Sequence, residues 1–219
     1  MQQPTIILAS GSPRRQQFLR ELSLDFQVIV ADIDETPHGN EAPEALARRL
    51  AESKAAAVAT RLPPSTAALI IAADTVVAQA DMLLGKPADS AEATAMLQQL
   101  RNRPHQVHSS VCLLETGSKR TQTRVNSTEV QMRDYSDADV AAYVASGDPF
   151  DKAGAYAIQH PAFAPVCAVQ GCISGVIGLP LADLREMLAA FGVTVRATIP
   201  TICRQHTIFG CCQDAVQNP

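Results

Sequence analysis

The chemistry-bearing residues of this chain begin at its start. Ser10-Gly11-Ser12-Pro13-Arg14-Arg15 sets two hydroxyls, a small turn and two guanidiniums side by side. The apolar run Ile6-Ile7-Leu8-Ala9 leads into it, and Pro13 suits the first position of a helix. Unpaired backbone N–H groups at that helix start converge with the hydroxyls and guanidiniums on one pocket, which suits an anion. A phosphate chain fits it better than a carboxylate. The plainer alternative is a capped helix with solvated arginines.

Asp74 stands alone in Ile70-Ile71-Ala72-Ala73-Asp74-Thr75-Val76-Val77. An ionised carboxylate inside an apolar strand must sit at the strand end, pair with a cation or bind a metal. It can serve as a general base, hold a divalent cation, or simply cap a turn or pair with a core lysine. Asp32, Asp34 and Glu35 crowd one loop, either as oxygen ligands for a hard cation or as a solvated acidic stretch. Lys54 points into a cleft or into water. Gly85-Lys86-Pro87 resembles the end of a P-loop, but Ala80 and Pro87 break the Walker pattern, leaving a lysine after a glycine turn that can still reach a phosphate. In Asp151-Lys152-Ala153-Gly154-Ala155-Tyr156-Ala157-Ile158-Gln159, the terminal amide offers a donor and an acceptor together, as a base edge requires, or is an exposed strand end. Tyr156 reads as core packing.

These residues need a frame, and the hydropathy alternates as an α/β fold does. Strands are expected at Ile6–Ala9, Phe26–Val30, Leu69–Val77, Met82–Leu84, Gln106–Glu115, Thr121–Arg133, Ala155–Ile158 and Cys172–Ile177. Helices are expected at Pro13–Leu22, Glu44–Arg61, Ser90–Leu100, Ser136–Ser146 and Leu181–Phe191. In the second helix Leu46, Leu50, Ala57 and Val58 are placed toward the core, with Arg48, Arg49 and Lys54 outside. From Thr194 onward the periodicity is weak, and that segment reads as a partly ordered extension.

Composition narrows the function. The 219 residues are 47% apolar and 18% charged, which describes a globular chain with a full core. A net charge of −4 argues against a general grip on nucleic acid, so phosphate binding must be local, and divalent cations are expected to help hold a polyanion. No apolar run is long enough for a membrane span, and no signal peptide is recognisable, so a cytoplasmic location is expected. Of six cysteines, Cys203, Cys211 and Cys212 lie in the final stretch. With no C-x-x-C pair and no standard ligand spacing, they read as buried or incidental thiols rather than as a zinc site.

Together the segments resemble the Maf family of nucleotide pyrophosphatases. The matching pieces, in order, are Leu8 to Arg15, Asp34-Glu35, Lys54, Ala73 to Val77, Gly85-Lys86-Pro87, Asp151 to Gln159 and Gly178-Leu179-Pro180. The resemblance implies a domain over residues 1–193, with 194–219 as a cysteine-containing extension. It implies a two-lobed α/β fold with an elongated mixed sheet and a nucleotide cleft, related to inosine triphosphate pyrophosphatases. It also implies hydrolysis of a nucleoside triphosphate to monophosphate and pyrophosphate with Mg²⁺ or Mn²⁺, in a homodimer. Asp74 matches the family's proton acceptor; Ser10, Arg14, Glu35, Lys54 and Lys86 match cleft residues. Ser10, Ser12, Arg14, Arg15, Lys54 and Lys86 are then the phosphate-binding set, with Glu35, and Asp74 as a second ligand, for the metal. Arg14, Thr75 and Gln159 fall where base selectivity is set and look like the dTTP/UTP type; the 7-methyl-GTP type carries Trp for Arg14 and an acid for Gln159. His160 replaces a usual Gly, residues 170–175 lack the usual Asn or His, and the tail has no recognised counterpart. A nucleotide-binding regulator of cell division, and a pyrophosphatase of 7-methyl-GTP or inosine triphosphate, are the alternatives.

Overall fold

The computed structural model describes residues 4–80 and 82–214, so the C-terminal segment is described only as far as Asp214. Its frame is a mixed sheet of seven strands: β1 (Thr5–Leu8), β2 (Phe26–Val28), β3 (Ala68–Gln79), β4 (Met82–Leu84), β5 (Pro104–Glu115), β6 (Thr121–Met132) and β7 (Val166–Gln170). The order is β2-β1-β3-β5-β6-β7. β1 runs parallel to both β2 and β3, while β5, β6 and β7 follow in antiparallel steps. Apolar on both faces, β3 is buried along nearly all of its length, as a central strand should be.

One edge of β3 is shared. β1 pairs with it through Ile71, and β4 pairs with it only from Val77 onward. Residues 72–76 lie between the two pairings, at the carboxyl end of β1. In open α/β sheets such a break is where ligands are held, and Asp74 sits in it.

Strand alternation then assigns the faces. Ile70, Ala72 and Val76 meet α2 (Pro43–Ala59), whose buried stripe includes Ala47, Leu50, Ala51, Ala55 and Val58. Leu69, Ile71 and Ala73 face the other way, onto α1 (Pro13–Glu21) and α6 (Leu181–Ala190). Past the break a second core forms where α3 (Ser90–Leu100) and α4 (Asp137–Ala145) pack on the far ends of β5 and β6. The two lobes expected from the resemblance are these two cores on one continuous sheet. A capping box at Ser136 and Asp139 starts α4, as the Ser-x-x-Asp pattern predicts.

Three local expectations are corrected, and one strand had gone unread. Cys172–Ile177 is not a strand: Ile173–Ile177 forms the short helix α5, started by the Cys172 side chain accepting from the Gly175 N–H. Ala155–Ile158 is not a strand either, because Gly154 and Ala155 both have positive φ and turn the chain out of extension. β7, with Val166 buried and its neighbours mostly exposed, showed too weak an alternation to be read. The final segment forms a helix, α7 (Ile199–His206), whose Ile199, Ile202 and Cys203 enter the core beside α1 and α6. Cys112, Cys172, Cys203 and Cys211 are buried free thiols, while Cys167 is exposed and Cys212 half-buried.

The second core carries a pH liability. His105 is 3% exposed; its Nε2 pairs with the Tyr156 hydroxyl at 2.7 Å, and Nδ1 has no partner among the described residues. Burial pushes its imidazole down to about 4. The unfolded chain takes up this proton near pH 6.5, so between these values the unfolded state binds more protons. Stability from this site is complete above pH 6.5 and is lost as pH falls toward 4, by about 3 kcal/mol in all. Urea midpoints measured across that window should show the slope, and His105→Gln should flatten it.

Candidate active site

At the break in β3's edge the two lobes enclose a cleft of about 640 Å³. The turn after β1 forms one wall, with Ser10, Ser12, Arg14 and Arg15 all lining it. The Ser12 N–H points at Ser10 Oγ (3.3 Å), which curls the turn around the hydroxyl. Lys86 and the segment from Asp151 to Gln159 form the other wall, tied together where the Gly154 N–H donates to the Gly85 carbonyl at 3.0 Å.

At the bottom lies Asp74, 7% exposed. Alternation places it on the α2 face, and Lys54 meets it from that helix: Nζ donates to Oδ1 at 2.6 Å and lies 2.6 Å from Glu35 Oε1. The helical pattern put Lys54 outside with Arg48 and Arg49, and the resemblance put it in the cleft; it lines the cleft and is buried, since it lies one turn from both Leu50 and Val58 on the apolar stripe. Burial raises the Glu35 carboxyl, but the Lys54 hydrogen bond and charge, backed by Lys86 and Arg15, outweigh it and hold the group below the usual carboxylate range. Both carboxylates are thus gathered around one ammonium.

Thr75 points to the opposite face, where Arg15 braces the site. Arg15 Nε donates to the Gly178 carbonyl at 2.9 Å, one Nη to Ser10 Oγ at 3.1 Å and the other to Thr75 Oγ1 at 3.3 Å. Ser109 Oγ donates to the Gly175 carbonyl at 2.6 Å, so across the 2.9 Å Thr75–Ser109 contact it is the Thr75 hydroxyl that donates. Arg15 therefore fixes the turn, β3 and the end of α5 relative to one another. That is a positioning task.

The remaining residues stand nearer the mouth. Arg14, 34% exposed, is 3.8 Å from Asp151 across the cleft. Lys86 is exposed, its ammonium available to a ligand. Gln159 lines the cleft with its amide Nε2 3.0 Å from His206 Nδ1. All ten residues picked from sequence line this one cleft. The residue missed is Lys152, a buried wall residue whose Nζ is held by the Asp148 carbonyl and carboxylate and by Asp151. Its signal was its place between Asp151 and Gly154 in the quoted segment.

Arg14, Arg15, Lys54, Lys86 and Lys152 set against Glu35, Asp74 and Asp151 leave the cleft net positive in a chain whose overall charge is −4. Such a cavity focuses a polyanion toward itself. For a divalent cation the donors fit in kind: Lys54 engages Oδ1 of Asp74 and Oε1 of Glu35, which leaves Oδ2 and Oε2 for a hard cation. No group of three metal-ligating side chains occurs among the described residues. A cation here would complete its shell with substrate phosphates and water, the usual habit of Mg²⁺.

Comparisons with known proteins show the family. A family model described as "Maf-like protein" matches residues 5–191. A dTTP/UTP pyrophosphatase of Pelotomaculum thermopropionicum is 44% identical over 190 residues, covering 87% of this chain and 98% of that protein. One from Myxococcus xanthus is 46% identical over 191 residues, covering 87% and 94%. A third, from Thermomicrobium roseum, is 43% identical over 206 residues and covers 92% of each.

Proposed function

This chain belongs to the family of Maf-like proteins, and we propose that it hydrolyses dTTP and UTP to the monophosphate and pyrophosphate, a nucleotide-pool house-cleaning reaction. The observation that carries the reading is the buried Asp74, held by Lys54 at the bottom of a net positive cleft. A protein that only binds a nucleotide has no need of a carboxylate there.

The triphosphate lies along the wall formed by Ser10, Ser12, Arg14 and Lys86, whose N–H groups, hydroxyls and cations offset its charge. Lys54 holds Asp74 by its Oδ1 and keeps it aimed, so that the carboxylate takes the proton of a water attacking the α-phosphorus. Arg15 fixes the turn and β3 together, which keeps the phosphate wall in register with Asp74. Glu35 and Asp74 would hold a Mg²⁺ or Mn²⁺ ion, which when bound supplies charge neutralisation for the departing pyrophosphate. Arg14, Thr75 and Gln159 set base preference, with the Gln159 amide facing the N3–H and a carbonyl of a pyrimidine. A homodimer in the cytoplasm is the assembly and setting that accompany this reading; no helix among the described residues is long and apolar enough to cross a membrane.

Pyrophosphate release with Mg²⁺ or Mn²⁺, measured across dTTP, UTP, CTP, GTP, ITP and 7-methyl-GTP, tests the reading. Turnover of dTTP and UTP well above the rest is expected. A purine or methylated-guanine preference overturns the substrate assignment, and binding without any turnover overturns the enzyme.

A further inference from the structure

The C-terminal segment reaches the base-reading end of the cleft. α7 is anchored by Ile199, Ile202 and Cys203 in the core, and its last residue, His206, is presented behind Gln159. The His206 side chain is 8% exposed and packs edge-on against Phe18, with ring centroids 4.9 Å apart. Its Nε2 lies 2.8 and 2.9 Å from the two carboxylate oxygens of Glu21, the last residue of α1. Its Nδ1 lies 3.0 Å from Gln159 Nε2. Gln159 lines the cleft, and His206 stands outside it. The family match ends at residue 191, so this contact comes from a part of the chain outside the matched region.

The direction of each bond in this row is dictated by its outer partner. An ionised carboxylate only accepts, so the ring nitrogen facing Glu21 carries the proton. Gln159 turns its Nε2 to Nδ1, and an amide nitrogen can only donate, so Nδ1 is the acceptor of this bond. That contact fixes the amide: one N–H is committed to His206, which leaves the carbonyl oxygen Oε1 and the second N–H for the cleft. Uracil and thymine carry a donor at N3, whereas cytosine carries an acceptor there. An outward carbonyl accepts from the first pair and meets a lone pair on the second.

We propose that His206, held by Glu21, is a specificity-positioning residue that locks the Gln159 amide with its carbonyl toward the base, so that uracil and thymine nucleotides are selected over cytosine nucleotides. The proposal rests on the reading of Gln159 as the base contact. A site built around a fixed hydrogen-bond direction rejects the mismatched partner more strongly than one whose amide can rotate.

The test is kcat/KM for UTP and CTP in the full chain. His206→Ala frees the amide, and the UTP-to-CTP ratio should fall about tenfold, carried by KM rather than kcat. Glu21→Gln keeps size and packing but lets its amide donate to the ring, so that His206 can shift its proton to Nδ1 and turn the amide over. The ratio should fall in that variant too, without a drop in melting temperature. A wild-type ratio in Glu21→Gln and in a folded His206→Ala overturns the proposal. Gln159→Ala then locates the failure: if its ratio falls, Gln159 reads the base without help from the tail, and if its ratio holds, the assignment of Gln159 itself is wrong.

Discussion

Asp74→Asn is expected to lower pyrophosphate release by about a thousandfold, within the range that loss of a positioned general base produces. The replacement is nearly isosteric. Its amide oxygen can still accept from Lys54 Nζ where Oδ1 does now at 2.6 Å, and Glu35 remains as the counter-charge on the other side of the ammonium. The variant should therefore fold with a melting temperature close to that of the wild type, which circular dichroism can establish beside the activity assay. What it loses is the anion: Asn neither takes a proton from water nor ligates a cation as a carboxylate does. Near-normal turnover in a folded Asp74→Asn protein contradicts the proposed mechanism.

Lys54→Met should cost stability as well as activity. Asp74 is buried, and Lys54 is its ion-pair partner, so removing the ammonium strands a carboxylate in the core. Losing one member of a buried pair costs about 3 kcal/mol or more, mostly from the uncompensated charge rather than from the missing bond. Glu35 adds less, since its side chain is 53% exposed and water can solvate it. Free of its chief stabilising partner, the Glu35 carboxyl should also rise toward the normal range. A second substitution separates the causes. Adding Asp74→Asn to Lys54→Met removes the stranded charge, so denaturant melts should show stability recovering while turnover stays lost. If the double variant is no more stable than Lys54→Met, packing of the lysine stem, not charge, dominates the loss.

How much of this was legible from sequence depended on the kind of signal. The Ser10-to-Arg15 turn and the lone Asp74 in an apolar strand stood out because each breaks its surroundings in a way chemistry must answer. The strands with long apolar or alternating runs, and the capped helices, were readable for the same reason. Cys172–Ile177 was not, because a short apolar run looks the same as a buried strand or as one turn of buried helix. The helical pattern put Lys54 outside because charge was weighed above spacing, although its register with Leu50 and Val58 placed it inward and its match to a cleft residue put it where it lies. The helix at the end was hidden for the opposite reason. Ile199, Ile202, Cys203 and His206 do follow helical spacing, but the pattern is barely two turns long and its last member is polar. The meeting of His206 with Gln159 and Glu21 joins three distant parts of the chain and follows only from the packing of α7 on α1.

The central claim is that water attacks the α-phosphorus and pyrophosphate leaves. The most direct test is turnover of UTP in ¹⁸O-labelled water, with both products analysed by mass. The mechanism built on Asp74 predicts one labelled oxygen in the monophosphate and none in the pyrophosphate. Label in the pyrophosphate, or release of UDP and inorganic phosphate instead, would contradict it.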